Sequence, residues 1–355
     1  MEFFGNVLDW VIALFLFGLL MFIHELGHFV AARLARVKVE EFGFGFPPRA
    51  VKLFTWQGTL FSLNAIPFGA FVRPAGEDDP KIEGGLAAAS KRARTLVLLG
   101  GVALNALAAV AAYTIAFKVA FPVGALVDDI APDSPAARAG LQVGDVVVAA
   151  DGGTVKSRVD LINYIYSHLG ATVGLQVMRG GEPVDVRVTT RTQEEIPEGQ
   201  GPTGLTVGDA LSGSENWGQA FLEALTTIRD QLRMILQLPS QILRGGFNAA
   251  TDRPVGPIGI LDVTNQLVGS VRQSNRWVYL LQWMGGINLA LAFGNLLPIP
   301  ALDGGRLVFV ALEALRGRRV DPEKERMVHA YSMLVLLALM TFITFLDLFF
   351  PVLPR

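Results

Sequence analysis

The sequence predicts a polytopic α-helical membrane protein with four transmembrane helices, a cytoplasmic membrane-associated β-segment and one extracytoplasmic α/β domain. Three observations carry this reading. Four stretches are long and apolar enough to cross a bilayer. Basic residues crowd two of the segments between them and thin out in the third. That third segment is the longest, and it alternates short strand patterns with Gly-rich turns. Composition agrees: of 355 residues, 51% are apolar and 17% charged. Such a chain is too apolar for an ordinary soluble protein and too charged to lie wholly in lipid.

A helix needs about 20 residues to cross the hydrocarbon core. The stretches that qualify are 7–34, 95–121, 278–297 and 330–353. The first has no basic region before it and no small-residue cleavage site after it, so it reads as a retained span. Residues 33–94 hold ten Lys/Arg in 62 positions, and residues 304–328 hold six in 25. Residues 121–278 hold twelve in 158. The positive-inside rule puts the first two segments in the cytoplasm and the long one outside. Both termini then face outward. The expected divisions are a first span over 1–36, a cytoplasmic β-containing loop over 37–94 and a second span over 95–121. An outer domain follows over 122–196, then a linker with an amphipathic juxtamembrane helix over 197–275. A third span over 276–305, a cytoplasmic loop over 306–329 and a fourth span over 330–355 complete the chain.

The first span contains His24-Glu25-Leu26-Gly27-His28. On a helix, this HExxH pattern puts two imidazoles on one face, spaced to grip one Zn²⁺, with the Glu between them as general base. Ionisable groups inside an apolar helix are costly unless they serve a site. The chain has no cysteine, so any zinc must be held by histidine and carboxylate. Spans one and three run inward together. His24 lies about 26 Å along the first helix if it starts near Val7, close to the cytoplasmic end. The residues after span three reach the same depth, and they include Asp303, Gly304 and Gly305. Asp303 is therefore the expected third ligand. It also precedes a helix-like run, where a plain N-cap is the competing reading. Asn295 and Asn105 either join helices through hydrogen bonds or contact substrate. His168 and His329 read as solvated or capping residues, and Asp347 as lying near the outer interface.

The cytoplasmic loop carries strand patterns at 50–53, 59–66 and 68–72, divided by Gln57-Gly58 and Pro67. A sheet edge there could pair with an extended peptide. The outer domain should hold a helix over 158–168. Residues 191–214 read as a linker or irregular strand pair. Residues 217–243 show an amphipathic stripe suited to the membrane surface or to the helical core.

Taken together, these residues resemble the site-2 proteases, intramembrane zinc metalloproteases, and among them the bacterial regulator of sigma-E protease type. The likeness rests on HELGH in the first span and on Asn295-Leu-Leu-Pro-Ile-Pro-Ala-Leu-Asp303-Gly-Gly. It also rests on Gly140-Leu-Gln-Val-Gly-Asp-Val-Val147, which looks like a PDZ loop and strand, and on Asn64-Ala-Ile-Pro-Phe-Gly-Ala-Phe-Val72, which is similar to the family's membrane-reentrant β-loop. Enteric members carry two PDZ domains, whereas this chain has room for one.

The resemblance implies one Zn²⁺ held by His24, His28 and Asp303, with Glu25 as catalytic base. It implies substrate contacts at Asn64, Ile66, Asn105 and Asn295. It implies hydrolysis of single-span membrane proteins of the anti-sigma-factor or remnant-signal-peptide class, already cut outside by a site-1 protease. The expected setting is a bacterial inner membrane, with the lipid bilayer as partner. A net charge of −2 gives no reason to expect nucleic acid. Two rival readings are a PDZ scaffold and a metal transporter. The scaffold would not need Glu25 or Asp303, and the transporter would show an internal repeat.

Overall fold

The computed structural model describes residues 2–197, 199–214, 216–243, 254–274 and 276–350. In chain order the elements begin with α1 (Glu2–Leu34), β1 (Val39–Trp56), β2 (Thr59–Pro74) and α2 (Lys91–Val119). Then come β3 (Phe121–Ile130), α3 (Pro135–Arg138), β4 (Val146–Ala150), β5 (Gly153–Thr154) and α4 (Arg158–Ser167). β6 (Thr172–Arg179), β7 (Glu182–Thr189), β8 (Leu205–Ser212), α5 (Trp217–Leu243) and α6 (Pro257–Ser274) follow. The last three are α7 (Val278–Leu296), α8 (Asp303–Arg316) and α9 (Pro322–Phe349). Two compact units result: Met1–Ile115 with Phe221–Arg355, and Ala116–Ala220.

In the first unit, three helices among the described residues are long and apolar enough to cross a membrane: α1 from Val7, α2 and α9. The predicted third span is the helix α7, whose Gln282, Asn288 and Asn295 dilute its apolar run. Asn288 is buried and donates to the Met284 carbonyl one turn back, which satisfies its amide nitrogen without a partner helix.

The helices between and beyond the spans refine several expectations. The loop expected over 306–329 is mostly helix: α8 reaches Arg316, and α9 begins at Pro322, eight residues before the predicted span. Pro322 suits a first helical position, and the Asp321 side chain accepts the Glu323 amide hydrogen. The juxtamembrane stretch holds a further helix, α6, which packs on α1, α7 and α9. Asp347, near the end of α9, is buried against protein; its Oδ2 accepts the Gly259 N–H at 2.9 Å, satisfying the first turn of α6 from a neighbouring helix. His329 is not solvated; its Nδ1–H donates to the Pro300 carbonyl.

β1 and β2 form a hairpin around Gln57-Gly58, both with positive φ as a two-residue turn of this type requires. The strand begins at Val39, well before the predicted residue 50. Phe42 lies opposite both Phe61 and Val72. Residues 70–74 are thus an outer strand, paired on one edge only among the described residues. Glu41, buried within the sheet, accepts from Ser62 Oγ at 2.7 Å and from Arg73 Nη2 at 2.7 Å, and it pairs with Arg49. The Arg49 guanidinium holds the Glu41 carboxyl below its usual range. These bonds fix the outer strand to β1.

The second unit is built on a sheet in the order β7-β6-β4-β3-β8, with β5 paired to β4. Its core includes Val127, Val147, Leu161, Leu175, Val177 and Val188. The predicted helix at 158–168 is α4, started by a Ser157–Asp160 capping box. His168 ends it, with Nδ1–H donated to the Tyr164 carbonyl. Residues 191–214, read as a linker or irregular strand pair, include the strand β8. Leu205 and Val207 pack on the core, which brings β8 onto the edge of β3.

The Gly140–Asp145 turn is held by one buried carboxylate. Asp145 accepts from Gln142 N at 2.9 Å, Arg179 Nε at 2.8 Å and Arg179 Nη2 at 2.7 Å. The Arg179 guanidinium pulls its pKa below the usual 3.8. A depressed carboxylate adds stability that is full above the unfolded pKa and is lost as pH falls through the folded one. The melting temperature of this unit should therefore hold from neutral pH down to about pH 4 and fall below it. Asp145→Asn should cost about 2 kcal/mol at neutral pH and flatten the acid limb. Calorimetry across pH checks both.

Candidate active site

α1 presents His24, Glu25 and His28 on one side, and the turn before α8 brings Asp303 to them. His24 Nε2 and His28 Nε2 are 3.1 Å apart. Asp303 Oδ2 lies 3.2 Å from each. These side chains are 12–17% exposed. The three atoms form a nearly equilateral triangle. Tetrahedral zinc with ligands at about 2.0–2.1 Å has ligand–ligand edges of about 3.3 Å. The triangle fits that geometry, and Asp303 Oδ2 has no protein hydrogen-bond donor. Among the described residues this is the single His/Asp/Glu group that could hold a metal ion. Asp303 is not an N-cap: that position is Leu302, and no side chain caps the helix there.

α2 sets the orientation of both imidazoles. His28 Nδ1 donates to the Val97 carbonyl at 2.8 Å, which leaves the Nε2 lone pair for a metal. Asn105 Nδ2 lies 3.2 Å from His24 Nδ1, and Asn105 is fully buried. With Nε2 turned to a metal, Nδ1 carries the proton and must meet an oxygen. Rotating the amide by half a turn supplies Asn105 Oδ1, an atom otherwise without a partner. Asn105 thus joins α2 to α1 through His24, one of the two roles expected of it. α2 comes this close because Gly27 meets Gly100 and because Gly101 has no side chain: a Cβ on Gly101 would sit 2.6 Å from His24 Cε1 and His28 Nε2. Asn105→Leu, close in volume but without the oxygen, should lower metal affinity about 10–100-fold. Chelator competition with Zn²⁺ measures it, and an unchanged affinity would remove Asn105 from the site.

The triangle opens on a cavity of about 450 Å³. Glu25, Asn295, Arg306 and the outer-strand residues Ala70, Phe71, Val72 and Pro74 line it. Glu25 Oε2 accepts the Val72 N–H at 2.9 Å, so the catalytic candidate touches the sheet edge. Asn295 donates its Nδ2 to the Leu291 carbonyl within its own helix. Asn64 and Ile66 are not part of the cavity wall. Asn64 is buried and donates to the Phe44 and Gly45 carbonyls, bracing the hairpin. Ile66 is exposed opposite Phe46. The part of the strand that meets the cavity lies four to ten residues further on. Ser332 has no signal in the sequence, and His329 takes the capping role of its two readings: on α9 they hold the Ala301 N–H and the Pro300 carbonyl, just before Asp303.

Two histidines and a carboxylate around a cavity, with a free Glu on the same membrane-length helix, define a metallopeptidase-type centre. The profile of peptidase family M50 matches residues 12–339. The chain belongs to that family, as the site-2 protease resemblance implied. A zinc metalloprotease RasP of Geobacillus kaustophilus is 28% identical, covering 94% of this chain and 96% of its own. Another from Oceanobacillus iheyensis is also 28% identical, covering 94% and 97%. Among solved structures, the PDZ domain of an SdrC-like protein from Listeria innocua is 30% identical. It covers 24% of this chain and 92% of its own, with a TM-score of 0.20.

Proposed function

We propose that this peptidase is an intramembrane zinc enzyme that cuts peptide bonds in or near the transmembrane segments of single-span proteins. The convergence of His24, His28 and Asp303 beside Glu25, at the inward end of a membrane-length helix, carries the reading. His24 Nε2, His28 Nε2 and Asp303 Oδ2 would hold the ion. Bound there, zinc would polarise the scissile carbonyl and lower the pKa of a water ligand to about 7. Glu25 takes the proton from the attacking water and delivers it to the leaving amine nitrogen. Asn105 and the Val97 carbonyl keep the imidazoles in the required tautomer.

A transmembrane helix hides its peptide bonds in its own hydrogen bonds, so the substrate must unwind. The outer strand at 70–74 offers an edge for the freed segment beside Glu25. Four spans, with α7 as the third, put the β-segment in the cytoplasm and the second unit, read as PDZ-like, outside a bacterial inner membrane. The loop-charge asymmetry supports this orientation. Anti-sigma factors or remnant signal peptides, first cut by a site-1 protease, are the substrate classes proposed, within regulated intramembrane proteolysis. The test is cleavage of a single-span substrate in vesicles by the wild-type chain against Glu25→Gln.

A further inference from the structure

α8 carries Asp303 to the histidines, yet little apolar surface fixes that helix. Its buried residues are Gly304, Gly305 and Val310, none of them in its last six residues. Further along, Leu312 and Leu315 are exposed, the latter at 84%. Beyond Val310 little apolar packing holds the helix, so its last turns depend on polar ties. In the second half, Glu313 receives the guanidinium of Arg94, near the start of α2. The pair is largely dry, with side chains 9% and 16% exposed. α2 is the same helix that gives the Val97 carbonyl to His28 and Asn105 to His24.

We propose that Arg94 and Glu313 are positioning residues for the metal centre. Their ion pair locks the helix bearing Asp303 to the helix that orients both imidazoles. Glu313 lies ten residues beyond Asp303, about 15 Å along a stiff rod. A small rotation at that distance moves the carboxylate relative to the triangle, and ligand placement tolerates only about 0.5 Å. Two other ties leave this role open. Arg306 reaches Glu77 at 2.6 Å and Asp78 at 3.7 Å, but these acids are 40% and 51% exposed, where screening makes ion pairs weak. His329 and Ser332 hold the turn before α8, and the His329 ring meets Phe309 midway along it, but neither reaches the last two turns, where Glu313 lies. Loss of one partner from a dry pair leaves an uncompensated charge, so the singles should be worse than the exchanged pair.

The proposal rests on the metal reading above, and its test separates the two. The full chain, purified in detergent and loaded with Zn²⁺, is challenged with a chelator, and the rate of zinc release is read. Glu313→Gln and Arg94→Met should each release zinc about 10-fold faster than wild type. Arg94→Glu combined with Glu313→Arg should return most of the way to the wild-type rate, which a general loss of stability would not allow. Circular dichroism confirms folding; if one single variant does not fold, the other and the exchanged pair decide. Wild-type release from the folded singles, or an exchanged pair as fast as the singles, would overturn the positioning role while Asp303→Ala still loses its zinc. Wild-type zinc retention by Asp303→Ala would overturn the metal reading and the proposal with it.

Discussion

Glu25→Gln should keep its zinc and lose about 10²–10⁴-fold or more in cleavage rate. The two halves of this result have separate causes. Zinc stays because the converging atoms belong to His24, His28 and Asp303, and Glu25 is not among them. Cleavage fails because a glutamine amide cannot take a proton from water near neutral pH. The substitution is nearly isosteric, and its carbonyl oxygen can still accept the Val72 N–H that Glu25 accepts at 2.9 Å. The sheet edge should therefore stay in place, and the loss can be assigned to proton transfer. The measurement pairs metal content per chain with turnover of a single-span substrate in vesicles. Full turnover would remove Glu25 as base. Loss of zinc would make it a ligand instead.

What was legible in the sequence was whatever a short window or a count of charges could carry. HELGH declares its own spacing, and loop charge gives the expectation that it lies near the inward end of the first span. Depth matching then reached Asp303 across the length of the chain, because helix rise is a fixed quantity. The hairpin turn was legible because Gln57-Gly58 breaks an alternating pattern. Contacts that depend on how helices rotate about their axes were not. Asn105 looked like any polar residue in an apolar span; its use became clear only where it meets His24, 81 residues away. Asn64 and Ile66 lie on the same strand as the cavity-lining segment 70–74, and which stretch of it meets Glu25 depends on strand register that no short window carries. Arg94 and Glu313 are 219 residues apart, and no local pattern marks them as partners. For β8 the sequence leaves linker and strand both open, for a different reason. Its Gly- and Thr-rich flanks mark a turn, and only pairing with β3 makes the segment a strand.

Asp303→Ala should lower zinc affinity by more than about 100-fold, the upper end for removing a group that merely supports a ligand. Removing the carboxylate leaves two imidazole nitrogens 3.1 Å apart with no anion between them and a divalent ion's charge. Asp303→Asn should fall between wild type and alanine, because it keeps an oxygen but not the charge. The rival N-cap role gives the opposite pattern. Loss of a cap costs about 1 kcal/mol of helix stability and leaves zinc untouched. The structure already opposes that role, since Leu302 occupies the cap position. Calorimetric melting and zinc titration on the same variant therefore decide between them: a large affinity loss with a small shift in melting assigns Asp303 to the metal. Unchanged zinc stoichiometry with reduced stability would return it to helix architecture. That result would leave HELGH with only two ligands, too few for the tetrahedral site on which the mechanism depends.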